Sequence, residues 1–405
     1  MSVDGIMPTT PLHLAVALDG AGWHPAAWRE SDARPADLFA ASYWVDLVRQ
    51  AEGGLLDFVT IEDSLGPQSS HLDRLDERTD QVRGRLDAVL IAARVAPATE
   101  HIGIVPTAVV THTEPFHISK AIATLDYVSG GRAGLRVQVS AKASDAALVG
   151  RREIPAFRRT DRDRPDVAEL VNDLFDEAAD YVEVVRRLWD SWQDDAVIRD
   201  VATGRFIDRD RLHYIDFTGR WFDVKGPSIT PRPPQGQPPV TALAHFTVPY
   251  RLGARAADVL YVTPTDAGHA AAIVGEVRSE QADAGRAADT VHVFGDLVVF
   301  LDDTERAATD RRARLDELAG KEYRSDALIF TGTPAQLADL LADWQSAGLS
   351  GFRLRPAAIP HDLRAITTGL VPELRARGLF RSAYEADSLR GLLGLARPAN
   401  RYLAA

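Results

Sequence analysis

Several residues in this sequence have types and spacings that could do chemistry. Glu62 and Asp63 stand side by side after the apolar run Phe58–Ile61. Carboxylates at such a place can orient a ligand or act as a base, and they serve equally well to cap the turn that follows. Thr107 lies late in the apolar run Ile102–Val110, and Thr111, His112, Glu114 and His117 come after it. Histidines and hydroxyls there could move protons or hold a ligand. As a metal pair, His112 and His117 are poorly matched, because the chain has no HExxH sequence and the five-residue spacing runs into a helix start. Ser140 follows a further run, Ala133–Val139, and His245, Phe246 and Thr247 follow Val240–Leu243. His13 lies inside the first apolar run and His24 beyond it; Trp23, Trp28 and Trp44 read as core rather than as a ligand cage.

Composition removes whole classes of chemistry. There is no cysteine, so disulfides, thiolate nucleophiles, iron–sulfur clusters and Cys-ligated zinc are out. A net charge of −12 argues against sequence-independent binding to nucleic acid or to an anionic membrane, which needs clustered cations. The P-loop, the GxSxG elbow and the GxGxxG turn are all missing. The N-terminal stretch has neither a basic segment nor a long apolar one, and no apolar run approaches the roughly 20 residues of a membrane span. The location this suggests is the cytoplasm.

The elements that must position these residues alternate. Strand-like runs at Leu12–Leu18, Phe58–Ile61, Ile102–Val110 and Ala133–Val139 are separated by helical patterns at Leu38–Glu52, Ala88–Val95 and Phe116–Val128. Residues 141–174 break the rhythm with a polar, Arg- and Asp-rich stretch that reads as a long insertion, its charge run at 158–166 as a solvated loop. A helix containing Phe175, Tyr181, Val185 and Trp189 follows, and residues 196–230 alternate like a hairpin before a proline-rich connector. Strands resume at Val240–Leu243, Val259–Val262 and Val291–Leu301, with helices at Thr304–Ala319 and Gln336–Ala347, a last strand at Phe352–Leu354 and a last helix at Asp362–Ala376. About eight strand–helix pairs predict a single α/β domain over residues 1–405: a (β/α)₈ TIM barrel with an insertion after strand four and a C-terminal extension at about 380–405. In such a barrel the site lies at the C-terminal ends of the strands, where the candidate residues fall.

Six segments resemble the luciferase-like flavin monooxygenase superfamily, in the branch of the nitrilotriacetate, dibenzothiophene-sulfone and long-chain-alkane monooxygenases. They are YWVDLVRQAEGGLLDFVTIEDSL within Asp37–Leu65, EPFHISKAIATLDYVSGGRAG (Glu114–Gly134), FDEAADYVEVVRRLWDSW (Phe175–Trp192), GRWFDVKGP (Gly219–Pro227), GTPAQLADLLADW (Gly332–Trp344) and LRGLLGLARPANRY (Leu389–Tyr402). The resemblance implies a two-component enzyme: reduced FMN from a separate flavin reductase, O₂ and a small organic substrate, in a soluble homodimer or homotetramer. It implies Asp63 beside the flavin ring, Thr107 in the ring pocket and His117 as the catalytic or substrate-orienting histidine. The barrel mouth would then shield the oxygen-activating flavin from water.

This chain departs from the branch at three cofactor positions. Leu135-Arg136-Val137-Gln138-Val139-Ser140 stands where the branch has Trp-Asn-Val-Val-Thr-Ser. Leu174-Phe175-Asp176 stands for Arg-Tyr-Asp, and Ala244-His245-Phe246 for Gly-Ala-Ser. Arg136, Ser140, Phe175, His245 and Phe246 are therefore the cofactor-binding candidates here. Either arginines, Arg136 or those of the loop, form a phosphate fork, or backbone N–H groups suffice. The alternatives are an oxidoreductase using the deazaflavin F420 on the same fold, a non-catalytic flavin-binding homologue, and a metal-dependent barrel hydrolase.

Overall fold

The computed structural model of the chain describes residues 11–403 except 70, 72 and 73. The first ten residues, where a leader was sought, lie outside that range. Nine parallel strands form one sheet: β1 (His13–Leu18), β2 (Phe58–Ile61), β3 (Gly103–Val109), β4 (Leu135–Gln138), β5 (Val240–Ala244), β6 (Val259–Val262), β7 (His292–Leu301), β8 (Leu328–Gly332) and β9 (Gly351–Pro356). Eight of them close a ring in the order β6-β5-β4-β3-β2-β1-β9-β7, with β7 returning to β6 through the register Val259↔His292 to Val262↔Gly295. The predicted (β/α)₈ barrel is the observed fold.

Most barrel strands are buried on both faces, as the continuous apolar runs require. Outward-facing residues such as Leu14, Val16 and Val59 pack under the surrounding helices. Inward-facing Ala15, Phe58, Val105, Val259, Tyr261 and Phe294 fill the lower barrel together with Leu389, Leu393 and Leu395 from the C-terminal extension. Gly103 lets that extension in, because a Cβ there would sit 2.6 Å from Leu389 Cδ1. The tail therefore closes the barrel floor and leaves the opposite end as the mouth.

The helices of the ring are α1 (Ala41–Gly53), α2 (Ala88–Val95), α3 (Pro115–Val128), α4 (Ala143–Val149), α5 (Pro165–Asp190), α6 (Thr247–Ala256), α7 (Ala267–Asp283), α8 (Glu305–Ala319) and α9 (Pro334–Ser346). Several of their starts are conventional. Thr333 and Gln336 form a reciprocal capping box on α9 with Pro334 in the first turn, and Asp266 and Thr304 cap α7 and α8. Among the described residues no helix is long and apolar enough to cross a membrane.

The insertion needs correcting. Residues 141–174 are not one long loop: α4 occupies part of the stretch, and α5 begins at Pro165, ten residues ahead of Phe175. Its buried Val167, Val171 and Leu174 continue the apolar face of Ala178, Tyr181 and Val185. Residues 196–230 hold two short hairpins, Val197–Asp200 with Arg205–Ile207 and Phe217–Thr218 with Asp223–Val224. Strand β8 was not anticipated; it pairs only with the upper half of β7. The last helix, expected over Asp362–Ala376, passes through a π-helical turn at Ile366–Leu370.

Candidate active site

The upper barrel interior is charged, and strand register explains how. β3–β4 pairing sets Thr107 beside Arg136, and β7–β9 pairing sets Asp296 beside Arg353. The side chains meet accordingly. Arg136 NH1 donates to Glu62 Oε2 at 2.8 Å, Thr107 Oγ1 at 3.0 Å and Gln138 Oε1 at 3.3 Å. Arg353 NH1 donates to Glu62 Oε1 at 3.0 Å, while its Nε and NH2 reach Asp296 at 3.1 and 2.8 Å. Arg355 bonds Asp296 through Nε at 2.9 Å and also through NH2, and its NH1 donates to Asp326 Oδ1 at 2.7 Å. Asp326 Oδ2 lies 3.1 Å from His245 Nε2, and His245 Nδ1 lies 3.0 Å from Thr263 Oγ1. The result is a continuous ion-pair path from His245 to Arg136 through three carboxylates and two further guanidiniums.

Burial alone would push these carboxyls up, but the guanidiniums outweigh it. Glu62 is held below the usual carboxylate range by Arg136, Arg353 and Arg355, and Asp296 by Arg353 and Arg355. Asp326 is held far below it by His245 and Arg355. Burial also pulls the Arg136 guanidinium down, with the Glu62 charge opposing it.

Both ends of this path open on one cavity. It has a volume of about 380 Å³ and lies over the ends of β4 and β5, roofed by the insertion and α5. That is a size suited to a small molecule or cofactor. Phe157, Val171, Phe175, Phe246 and Leu252 supply apolar wall, with Phe175 and Phe246 edge to face at 6.4 Å. Arg136, Lys142 and Arg162 bring permanent cations, and among the described residues no carboxylate lines the cavity. In a chain of net charge −12, that is a local reversal of sign. Arg162 is laid over the Phe246 ring, 4.5 Å from its centre. Helix α6 starts beside the cavity, with Phe246 and Pro249 on the wall, and has no side-chain cap from Phe246, which leaves the N–H groups of Thr247 and Val248 without one. Arg136 is 4% exposed, yet its Nε finds no acceptor in the protein.

Five of the eight residues singled out from sequence meet here: Arg136, Ser140, Phe175, His245 and Phe246. Ser140 is held by its hydroxyl donating to Asp145 Oδ2 at 2.7 Å and its N–H donating to Thr111 Oγ1 at 2.9 Å. Thr107 touches the cavity only through Arg136. Asp63 lies off the wall: its oxygens accept from the N–H groups of Ser64 and Ala88, the capping use of a carboxylate, and burial raises its pKa. His117 is exposed in the first turn of α3. His112, by contrast, is buried with both ring nitrogens unpartnered, and burial followed by the Arg152 charge lowers its pKa. Sequence reading missed Asp296, Asp326, Arg353 and Arg355. The signal was present in β9, where Phe352-Arg353-Leu354-Arg355 alternates charge with apolar residues at the period of a strand.

With this geometry in view, comparison with known proteins is decisive for the class. The family of luciferase-like monooxygenases matches residues 21–351. Nitrilotriacetate monooxygenase component A of Aminobacter aminovorans is 28% identical over 96% of this chain and 97% of its own length. Dibenzothiophene-sulfone monooxygenase of Rhodococcus erythropolis is 26% identical over 92% and 93%. The crystal structure of a long-chain alkane monooxygenase superposes with a TM-score of 0.81 at 22% identity, covering 95% of this chain and 96% of that one, which speaks for the fold. The chain belongs to the luciferase-like monooxygenase family, in the branch that holds these relatives. It is an oxidoreductase of the monooxygenase class, and the cofactor of that class is a flavin.

Proposed function

We propose that this protein is the oxygenase component of a two-component system. It takes reduced FMN from a separate flavin reductase into the β4/β5 cavity and uses O₂ to oxidise a small organic substrate held at the same mouth. The observation that carries the reading is the cavity itself: apolar and aromatic walls, three permanent cations, and no carboxylate among the described lining residues. These residues fit a flat, acceptor-rich ring that ends in an anionic phosphate. The name of the nitrilotriacetate relative, component A, accords with an oxygenase that works alongside a second component.

Bound reduced flavin would supply the electrons and the oxygen-activating centre. The chain's own residues bind, orient and exclude. Phe157, Phe175 and Phe246 give the ring an apolar bed and keep water from it. Arg162, Lys142 and the open N-terminus of α6 receive the anionic end, so a guanidinium from the insertion and backbone N–H groups share that task. Arg136 sets a guanidinium at the cavity floor, anchored by Glu62 and Thr107. Asp326 and Thr263 fix the His245 imidazole at the rim, where it can hold or release a proton.

Fluorescence titration with FMN tests the binding half: saturable quenching near one FMN per chain is expected, and its absence rejects the cavity as a flavin site. Oxygen consumption tests the rest. Uptake of O₂ coupled to substrate oxidation, with FMN reduced by an added reductase, is the expected result. Turnover that instead requires reduced F420 and proceeds without O₂ would overturn it.

A further inference from the structure

The mouth has a second pocket, on the β1 side, away from β4 and β5. Its inner part has a volume of about 170 Å³ and is lined by Asp19, Trp23, Trp28, Gln68 and Gln81, from the segments that follow β1 and β2. Pro25, Gln68 and Gln81 also line a wider outer part of about 560 Å³, which runs out to Tyr323 between α8 and β8. Of the three tryptophans expected to be core, Trp44 is buried, but Trp23 and Trp28 are half-buried and wall this pocket. An apolar void of about 150 Å³ takes a benzene ring, so the inner part has room for one aromatic ring.

The walls are fixed by bonds of their own. The backbone N–H of Trp23 donates to Pro356 O at 3.0 Å, and Arg355 lies 4.5 Å from the Trp23 ring centre. Trp28 Nε1 donates to Asp80 O at 3.1 Å, and Gln68 Oε1 accepts from the Gly84 N–H at 3.0 Å, which pins the segment after β2 across the pocket. His24 has Nε2 3.1 Å from Asp316 Oδ1 and accepts the Ala26 N–H on Nδ1 at 3.1 Å. Asp19 is locked in a two-bond pair with Arg85, at 3.0 and 2.6 Å. Trp23 Nε1 lacks a partner but is sealed from solvent. The half-buried Gln81 carboxamide is then the accessible side-chain group of the inner wall that makes no hydrogen bond among the described residues.

We propose that this pocket holds one end of the substrate, and that this end is a neutral aromatic ring bearing a carboxamide. That the ligand is a substrate rests on the flavin reading of the β4/β5 cavity; the pocket's preference for a neutral ring does not. The two indoles offer apolar surface to a ring. A carboxamide both donates and accepts, so it can meet Gln81 in a two-bond pair, whereas a carboxylate only accepts. A carboxylate would also share the inner part with Asp19, and among the described residues no lysine or arginine lines it. Lys321 and Arg324 line only the outer part, where they are exposed beside Glu322 and count for little. The mouth is thus divided by charge: free cations at β4 and β5, none in the inner pocket at β1.

Benzamide and benzoate share a ring and differ in charge, and calorimetric titration of each into the full chain without flavin is the test. Saturable binding of one benzamide per chain is expected, with benzoate at least about tenfold weaker. Gln81→Leu keeps an apolar wall and should weaken benzamide about tenfold while moving benzoate less than about twofold. Phe175→Ala, in the other cavity, should change neither, and saturating FMN should leave the benzamide constant within about twofold. Absence of benzamide binding, equal affinity for the two probes, a preference that survives Gln81→Leu, or displacement of benzamide by FMN would each overturn the proposal. If benzamide binds as expected and FMN does not bind at all, the pocket stands and the flavin reading falls, so the two failures are distinguishable.

Discussion

Asp296 is the carboxylate on which the charged barrel interior turns, and Asp296→Asn is the sharpest test of that interior. The side chain is fully buried and accepts from two arginines: Arg353 Nε at 3.1 Å on Oδ1, and on Oδ2 Arg353 NH2 at 2.8 Å, Arg355 Nε at 2.9 Å and Arg355 NH2. Asparagine preserves the shape and one acceptor. It replaces Oδ2 with a donor that faces three N–H groups, and it leaves Arg353 only the buried Glu62 and Arg355 only Asp326, which is partly open to solvent. Breaking a buried pair from one side costs about 3–5 kcal/mol, because a desolvated charge loses its partner. Unfolding entropy of about 2.1 cal/mol/K per residue over 405 residues amounts to about 0.85 kcal/mol/K, so the melting temperature should fall by roughly 4–6 °C. The control is Asp166→Asn, which breaks a pair with Arg164 on the exposed start of α5 and should leave the melting temperature unmoved. Scanning fluorimetry on both variants decides the matter: an Asp296→Asn protein that melts within 1 °C of wild type refutes the claim that this network holds the barrel interior together.

Three further outcomes follow from the same geometry. Asp326 is held below its unfolded value, so it stabilises the native state above pH of about 4 and loses that contribution as pH falls toward its folded value. The gap in melting temperature between wild type and Asp326→Asn should therefore be widest near neutrality and narrow below about pH 4; a gap that widens in acid contradicts the sign. Phe175→Ala removes an aromatic wall and should weaken FMN binding about tenfold, the worth of roughly 1.4 kcal/mol of ring contact, with riboflavin weakened in parallel because the ring and not the phosphate is affected. His117→Ala, at an exposed turn away from the cavity wall, should leave the FMN dissociation constant unchanged within about twofold; a larger loss in titration would show that α3 reaches the ligand by a route the cavity does not reveal.

The barrel was legible because burial on both faces of a parallel strand writes itself as an unbroken apolar run, and the fully buried β2 and β3 are such runs. Strand β8 lacks that signature. Its Leu328–Thr331 are only half-buried, since it leans on one half of β7 and lies outside the ring. The start of α5 was masked differently: the Arg- and Asp-rich run dominates the local composition, although Pro165 in the first turn and Val167, Val171 and Leu174 at helical spacing spell a helix.

The candidate site divides along the same line. Residues that end strands, such as Ser140 and His245, could be placed by the barrel rule alone, and the structure sets both on the cavity. What the rule could not say is which mouth residues face the ligand and which face the scaffold. Asp63 and Glu62 are neighbours in sequence, yet strand alternation turns Glu62 into the barrel between Arg136 and Arg353 and leaves Asp63 to cap the loop into α2. Arg136 shows the reverse case. Read from sequence it was a candidate fork for a phosphate, since guanidinium and phosphate geometries match. In the fold its NH1 is committed to Glu62 and its place is the cavity floor, so in the proposed reading the anionic end of the ligand is assigned to Arg162 and Lys142 instead. Arg136, Phe175 and His245-Phe246 lie on three separate elements and still meet on one cavity, so the barrel mouth gathers cations and aromatic rings that no single stretch of the sequence shows together.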